Sequence, residues 1–184
     1  MSRDAPHARP PRRLQIAVVG GGECSARTAA LARAVGRELA AAGVVVVCGG
    51  LRGVMEAAAR GAAEAGGTVL GILPGYERAH GNRYLTLAVP TGLRHARNVL
   101  VAAAGDALIA LPGKQGTLAE IAFAGVLGRP VVALGAWSGM PGVVRARRPA
   151  DAVRRALELA ARAVRQTYGR ARGSRAGGAG PGLR

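Results

Sequence analysis

Several short apolar runs in this chain end in glycine-rich turns and are separated by segments of helical length, and that alternation leaves few folds open. Leu14–Val19 runs into Gly20-Gly21-Gly22, Val44–Val47 into Cys48-Gly49-Gly50, and Ala107–Ala110 into Leu111-Pro112-Gly113. None of these runs alternates apolar with polar residues, so each reads as a strand buried on both faces. Thr68–Leu73, Tyr84–Val89 and Val131–Leu134 read as further strands. Ser25 is placed to cap a helix carrying Leu31, Val35 and Leu39 at helical spacing, which Gly43 closes. Further helices are predicted over Val54–Ala65, Gly92–Ala104, Gly116–Leu127 and Ala150–Tyr168. Strands alternating with helices predict an α/β fold of three layers, a mostly parallel sheet flanked by helices on both faces and joined by right-handed crossovers.

At 184 residues and 49% hydrophobic content, one domain with a sizeable core is expected, spanning residues 14–168. Aromatic residues make up only 3%, so that core must be built from Ala, Val, Leu and Ile. Residues 1–13, rich in Pro and Arg, are expected to be flexible, and the Gly/Arg-rich residues 169–184 disordered. No apolar stretch approaches the roughly 18–20 residues that cross a bilayer. The basic N-terminus has no signal-peptide-like apolar segment, so a cytoplasmic protein is expected. Cys24 and Cys48 are too few for a disulfide framework and lack metal-site spacing; they read as small residues near strand ends.

The net charge of +16 raises the question of nucleic acid, and its distribution answers in part. Residues 145–184 carry eleven arginines against Asp151 and Glu158, and residues 1–13 carry a further excess of +3, so most of the charge is terminal. Such blocks read as solvated helix faces and tails. Salt-dependent contact with RNA or DNA through the basic tail stays open beside that reading.

In a parallel sheet of this type, ligands sit beyond the carboxyl ends of the strands, where the strand order reverses. That rule brings the three glycine turns to one edge. The third turn is the most informative, because it leads from an apolar strand directly into a helix. The free N–H groups and dipole of such a helix start attract an anion. Gly113 and Gly116 allow close backbone approach, Thr117 offers a hydroxyl, Lys114 is the chain's only lysine, and Glu120 lies one turn further along. The candidate phosphate- or nucleotide-binding residues are therefore Gly21, Gly22 and Ser25 in the first turn and Gly49, Gly50 and Gly53 in the second. The third turn adds Pro112, Gly113, Lys114, Gln115, Gly116 and Thr117. Two nucleotide signatures are excluded. In the first turn Ser25 stands where a Gly-x-Gly-x-x-Gly fingerprint needs its third glycine, and Lys114 is followed by Gln115 where a Walker loop has Ser or Thr. Taken alone, Arg97 and His95 read as solvated helix residues and Glu120 as a first-turn acid. In a cleft, Arg97 instead has the geometry to fork onto a phosphate or carboxylate.

Pro112-Gly113-Lys114-Gln115-Gly116-Thr117-Leu118-Ala119-Glu120 resembles the Pro-Gly-Gly-x-Gly-Thr-x-x-Glu motif of the LOG (LONELY GUY) family. Cys48–Glu56 is similar to the family's Gly-Gly-Gly-x-x-Gly-Leu-Met-Gly, and Arg97 falls at the spacing of the family's catalytic arginine. Gly49–Glu56 and Gly92–Asn98 resemble most the short bacterial branch related to molybdenum-cofactor carrier proteins. The resemblance spans Leu14 to about Leu134 and implies a Rossmann-like fold. It implies a 5′-phosphate held by Gly113, Gly116 and Thr117, a catalytic pair Arg97 and Glu120, and a homodimer. The implied activity is that of characterised members, hydrolysis of the N-glycosidic bond of a nucleoside 5′-monophosphate to base and ribose 5-phosphate. The alternative is noncatalytic binding or carriage of a nucleotide or of the molybdenum cofactor. Lys114 and Glu56 depart from the motifs, each replacing a glycine. No resident cofactor and no metal are expected. The family's older label, possible lysine decarboxylase, does not suit this chain. A pyridoxal-phosphate enzyme needs a Schiff-base lysine, and the sole lysine lies in the turn that wraps the phosphate.

Overall fold

The computed structural model describes residues 12–176. Its strands are β1 (Gln15–Val19), β2 (Val45–Cys48), β3 (Thr68–Leu73), β4 (Leu87–Pro90), β5 (Ala107–Ala110), β6 (Val131–Leu134) and β7 (Val143–Ala146). They form one sheet in the order β4-β3-β2-β1-β5-β6-β7, with every neighbouring pair parallel. The helices are α1 (Ala26–Ala41), α2 (Val54–Glu64), α3 (Asn98–Ala104), α4 (Gln115–Val126) and α5 (Pro149–Ala176). This is the expected three-layer Rossmann-like architecture. No helix among the described residues is long and apolar enough to cross a membrane.

The side-chain period of two along β1 sorts the core into its two layers. Ile16 and Val18 pack with Val35 and Leu39 of α1, Ala58 of α2 and Ala156 of α5. Ala17 and Val19 face the other way, against Val101 of α3 and Ile121 of α4. Each such side chain removed from water contributes roughly 1.5–3 kcal/mol. Small residues let α1 and α2 approach closely: a Cβ built on Gly36 would sit 2.9 Å from the Ala58 carbonyl carbon, and one on Gly61 2.7 Å from that of Arg33. This close crossing is how a core nearly without aromatics fills its volume.

Four boundaries differ from the sequence reading. β7 was not anticipated, because an edge strand reading Val-Val-Arg-Ala between glycine-rich turns gives no apolar run. β4 starts at Leu87, not Tyr84, and includes Pro90, which its edge position tolerates. The helix expected from Gly92 begins only at Asn98. Positive φ at Gly92 (66°) and Arg94 (49°) breaks it, leaving a short 3₁₀ turn over Arg94–Arg97. Helix α5 continues to Ala176, past Tyr168 where disorder was expected to begin; isolated glycines cost only about 1 kcal/mol each in a helix interior. Arg12 and Arg13 were assigned to a flexible N-terminus, yet Arg12 Nη2 lies 2.7 Å from buried Asp106 and Arg13 Nε donates to the Gly43 carbonyl. Residues 1–11 and 177–184, the rest of the two predicted terminal segments, lie outside the described residues.

Candidate functional site

The strand order reverses between β1 and β5, which lie side by side. The crevice beyond their carboxyl ends holds a cleft of about 520 Å³, within the usual range for small-molecule sites. One wall is the start of α4. Lys114 is its N-cap residue, with extended backbone and no side-chain capping bond, and the first turn closes with Leu118 N–H donating to Lys114 O. Helix geometry leaves the N–H groups of Gln115, Gly116 and Thr117 without intrahelical acceptors. No other bond is recorded for them among the described residues. The helix therefore offers partial positive charge and free donors to the cleft. Gly113 is required sterically: a Cβ there would lie 2.8 Å from Thr117 Cβ and 2.9 Å from Gly21 N. At Gly116 nothing in the protein opposes a side chain closer than Asn98 Nδ2 at 3.7 Å; Gly116 borders the cleft instead.

One turn further along α4, Glu120 meets Arg97 in a buried charge pair. Arg97, at the junction of the 3₁₀ turn and α3, is 7% exposed, and Glu120 is 6% exposed. Arg97 Nη1 donates to Glu120 Oε1 across 3.5 Å, and the buried Arg97 Nε has no partner among the described residues. Burial pushes the Glu120 carboxyl up to about 7, against the opposing pull of the guanidinium. Burial likewise lowers Arg97, offset by Glu120. Beneath them the Cys48 thiol is raised by burial to about 11, which makes it a packing group and not a nucleophile. The cleft is thus lined by a buried guanidinium and a carboxyl group poised near neutrality.

The predicted residues take different places around the cleft. Arg97, Lys114, Gly116, Thr117 and Glu120 line the cleft together. Gly21 and Gly22 also line it, but the Gly21 N–H donates to Pro112 O at 3.0 Å and is spoken for. Ser25 faces α1, where its Oγ accepts the Thr28 N–H as a helix cap. The second turn acts as a buttress. Gly49 backs Arg97, Gly50 (φ 72°) packs on Leu73 and Leu85, and Gly53 (φ 66°) abuts the Gly22 carbonyl. Pro112 packs near Gly135, while Gly113 and Gln115 border a neighbouring cavity.

Sequence reasoning did not select Gly20, Glu23, Leu51, Met55, His95 or Asn98, which complete the lining. Asn98 had a detectable signal, being adjacent to Arg97; its Nδ2 donates to Gly116 O at 3.4 Å and ties α3 to the start of α4. Among the described residues no group of three His, Cys, Asp or Glu is placed to hold a metal ion.

A parallel sheet carrying this anion-ready helix start and buried Arg–Glu pair at its switch point defines a Rossmann-like protein of the LOG type. The chain belongs to the SLOG cluster4 family, whose sequence model matches residues 13–168. It is 43% identical over 121 residues to an uncharacterized protein of Archaeoglobus fulgidus, covering 66% of this chain and 80% of that one. It is 41% identical over 96 residues to the cytokinin riboside 5′-monophosphate phosphoribohydrolase of Rhodococcoides fascians, about half of either chain (49% and 48%). Among solved structures, the molybdenum cofactor binding protein of Rippkaea orientalis superposes with a TM-score of 0.77 at 30% identity. That match covers 81% of this chain and 98% of the other.

Proposed function

We propose that the protein binds a nucleoside 5′-monophosphate and hydrolyses its N-glycosidic bond to free base and ribose 5-phosphate. The observation that carries this reading is the buried Arg97–Glu120 pair, set one helical turn from the unbonded N–H groups of α4. A 5′-phosphate on those groups turns the ribose toward Glu120. Departure of the base leaves an oxocarbenium-like sugar, which a carboxylate in a water-poor site stabilises far better than water does. Arg97 fixes the carboxylate or the sugar. The test is base release from AMP and a panel of other nucleoside monophosphates. Release is expected from wild type and not from Glu120→Gln; equal release from both refutes the assignment.

A second reading, a noncatalytic carrier of a nucleotide or of the molybdenum cofactor, draws support from the likeness to the Rippkaea orientalis protein over nearly its full length. Ligand retained through purification with no turnover favours it. We also infer a homodimer. The outer face of α4 presents Leu118, Phe123 and Val126, the last 84% exposed, and the only charged side chain of the helix, Glu120, points inward. An apolar face of this kind is covered in a stable protein.

A further inference from the structure

Beside the cleft lies a second cavity of about 340 Å³, bordered by Gly113, Lys114, Gln115, Leu118 and Trp137, which the function proposed above leaves unused. Lys114 borders both cavities, at the start of α4. Among the described residues Lys114 forms no ion pair, which leaves its ammonium free for a ligand anion. The far wall is fixed in an unusual way. Trp137 adopts φ 66°, a left-handed conformation that a bulky residue rarely takes, and its Nε1–H donates to Leu111 O at 2.9 Å. That bond pins the indole to the strand end from which the anion-binding turn departs. Backbone strain that the surrounding structure holds in place is a mark of ligand clamps.

We propose that the site accepts a nucleotide whose 5′-phosphate carries a second phosphate and a further cyclic group. The pyrophosphate would span the N-terminus of α4 and Lys114, with the distal group lying in the Trp137 cavity. The inference rests on the anion-binding reading of α4 and extends its ligand class from monophosphates to pyrophosphate-linked nucleotides. Three features act together: free helix donors for the first phosphate, an unpaired ammonium for the second, and an aromatic wall for a planar group.

The chain contains one tryptophan, so its emission reports on that cavity alone. Wild type, Lys114→Gly and Trp137→Phe are titrated with AMP and with NAD, a pyrophosphate-linked dinucleotide, by calorimetry. Wild-type emission is recorded alongside, and base release is followed in the same samples to separate turnover from binding. Wild type is expected to bind NAD about tenfold more tightly than AMP, the gain from one charge-assisted contact. Trp137 emission should move with NAD and not with AMP, and the ratio of the two Kd values should fall toward one in both variants. Equal Kd values with unmoved emission, while AMP still binds, overturn the inference and leave the proposed function standing. Failure of AMP itself to bind removes the parent reading and this one with it.

Discussion

Consider the unfolding free energy followed from pH 4.5 to 8 in wild type and in Glu120→Gln. The Glu120 carboxyl sits at about 7 in the folded protein against an ordinary 4.5, because burial disfavours its charged form and Arg97, 3.5 Å away, compensates only in part. Between those two values the folded state holds a proton that the unfolded chain has released. By linkage, stability then declines as pH rises through the window, a loss of about 3 kcal/mol once pH exceeds 7. Such a loss is a large share of the 5–15 kcal/mol that stabilises a typical domain. Glutamine carries no charge at any pH, so the variant should lack this component. Groups lowered by exposed partners, Glu64 and Asp151, titrate below the window and are common to both proteins, so they cancel in the difference. Urea midpoints measured at half-unit pH intervals give the two curves. Their separation should narrow steadily at low pH and widen toward pH 8 in favour of the variant. Parallel curves would refute the argument, since they would mean that the carboxyl is already ionised in the folded protein. The same titration predicts that kcat/KM for base release climbs through about pH 7, because the sugar cation is stabilised only by the ionised carboxylate.

Three further outcomes are expected. A methyl group at Gly49 would lie 2.5 Å from Arg97 Nη2 and 2.7 Å from its Cζ, so Gly49→Ala should displace the guanidinium. Base release should fall about 10²–10³-fold, with Tm lower by roughly 2–10 °C; undiminished activity would show that Arg97 is not needed in place. Buried Asp106 accepts from Gln15 N at 2.9 Å and from the exposed Arg12 Nη2, so Asp106→Ala leaves the Gln15 N–H without its acceptor while Arg12 turns to water; chemical denaturation should report a loss of about 2 kcal/mol, and unchanged stability contradicts the structure. Val126→Glu on the exposed face of α4 should yield monomers of unchanged circular dichroism in sedimentation, whereas an unaltered mass rules out that face as the dimer contact.

The central strands were legible because a parallel strand buried on both faces must be an apolar run, as Val44–Val47 and Ala107–Ala110 are. The tight turn ahead of α4 was legible for a similar reason: only glycine fits at position 113, where Thr117 and Gly21 close in. Arg97 was less so. On its own the residue reads as a solvated helix arginine, and its burial depends on Gly49 from the second turn and Glu120 from α4, contacts far apart in sequence. Glycine content alone also overstated the reach of the first two turns. Most of their glycines serve chain crossings: Gly21 N–H and C=O are bonded to Pro112 and Val54, and Gly53 backs onto Gly22. Edge strand β7 stayed hidden because a strand with one neighbour need not be apolar.

The ion pairs of this protein run counter to what stability alone would select. Those at the surface are short, 2.6 to 2.9 Å, as in Arg33–Glu64 and Arg154–Glu158. The most enclosed pair, Arg97–Glu120, is the longest at 3.5 Å, and one of its donors is unsatisfied. A buried pair recovers its desolvation penalty only when geometry is tight and the remaining donors are bonded. Neither condition holds here, and nearby packing is not to blame, because Gly49 gives the guanidinium all the room it occupies. The pair therefore adds little to stability, although both of its residues line the cleft. In the proposed function, an anionic sugar phosphate supplies the negative charge that the helix terminus lacks. Under the proposed function, a geometry that stability would not select is the arrangement expected of a site built for binding and not for rigidity.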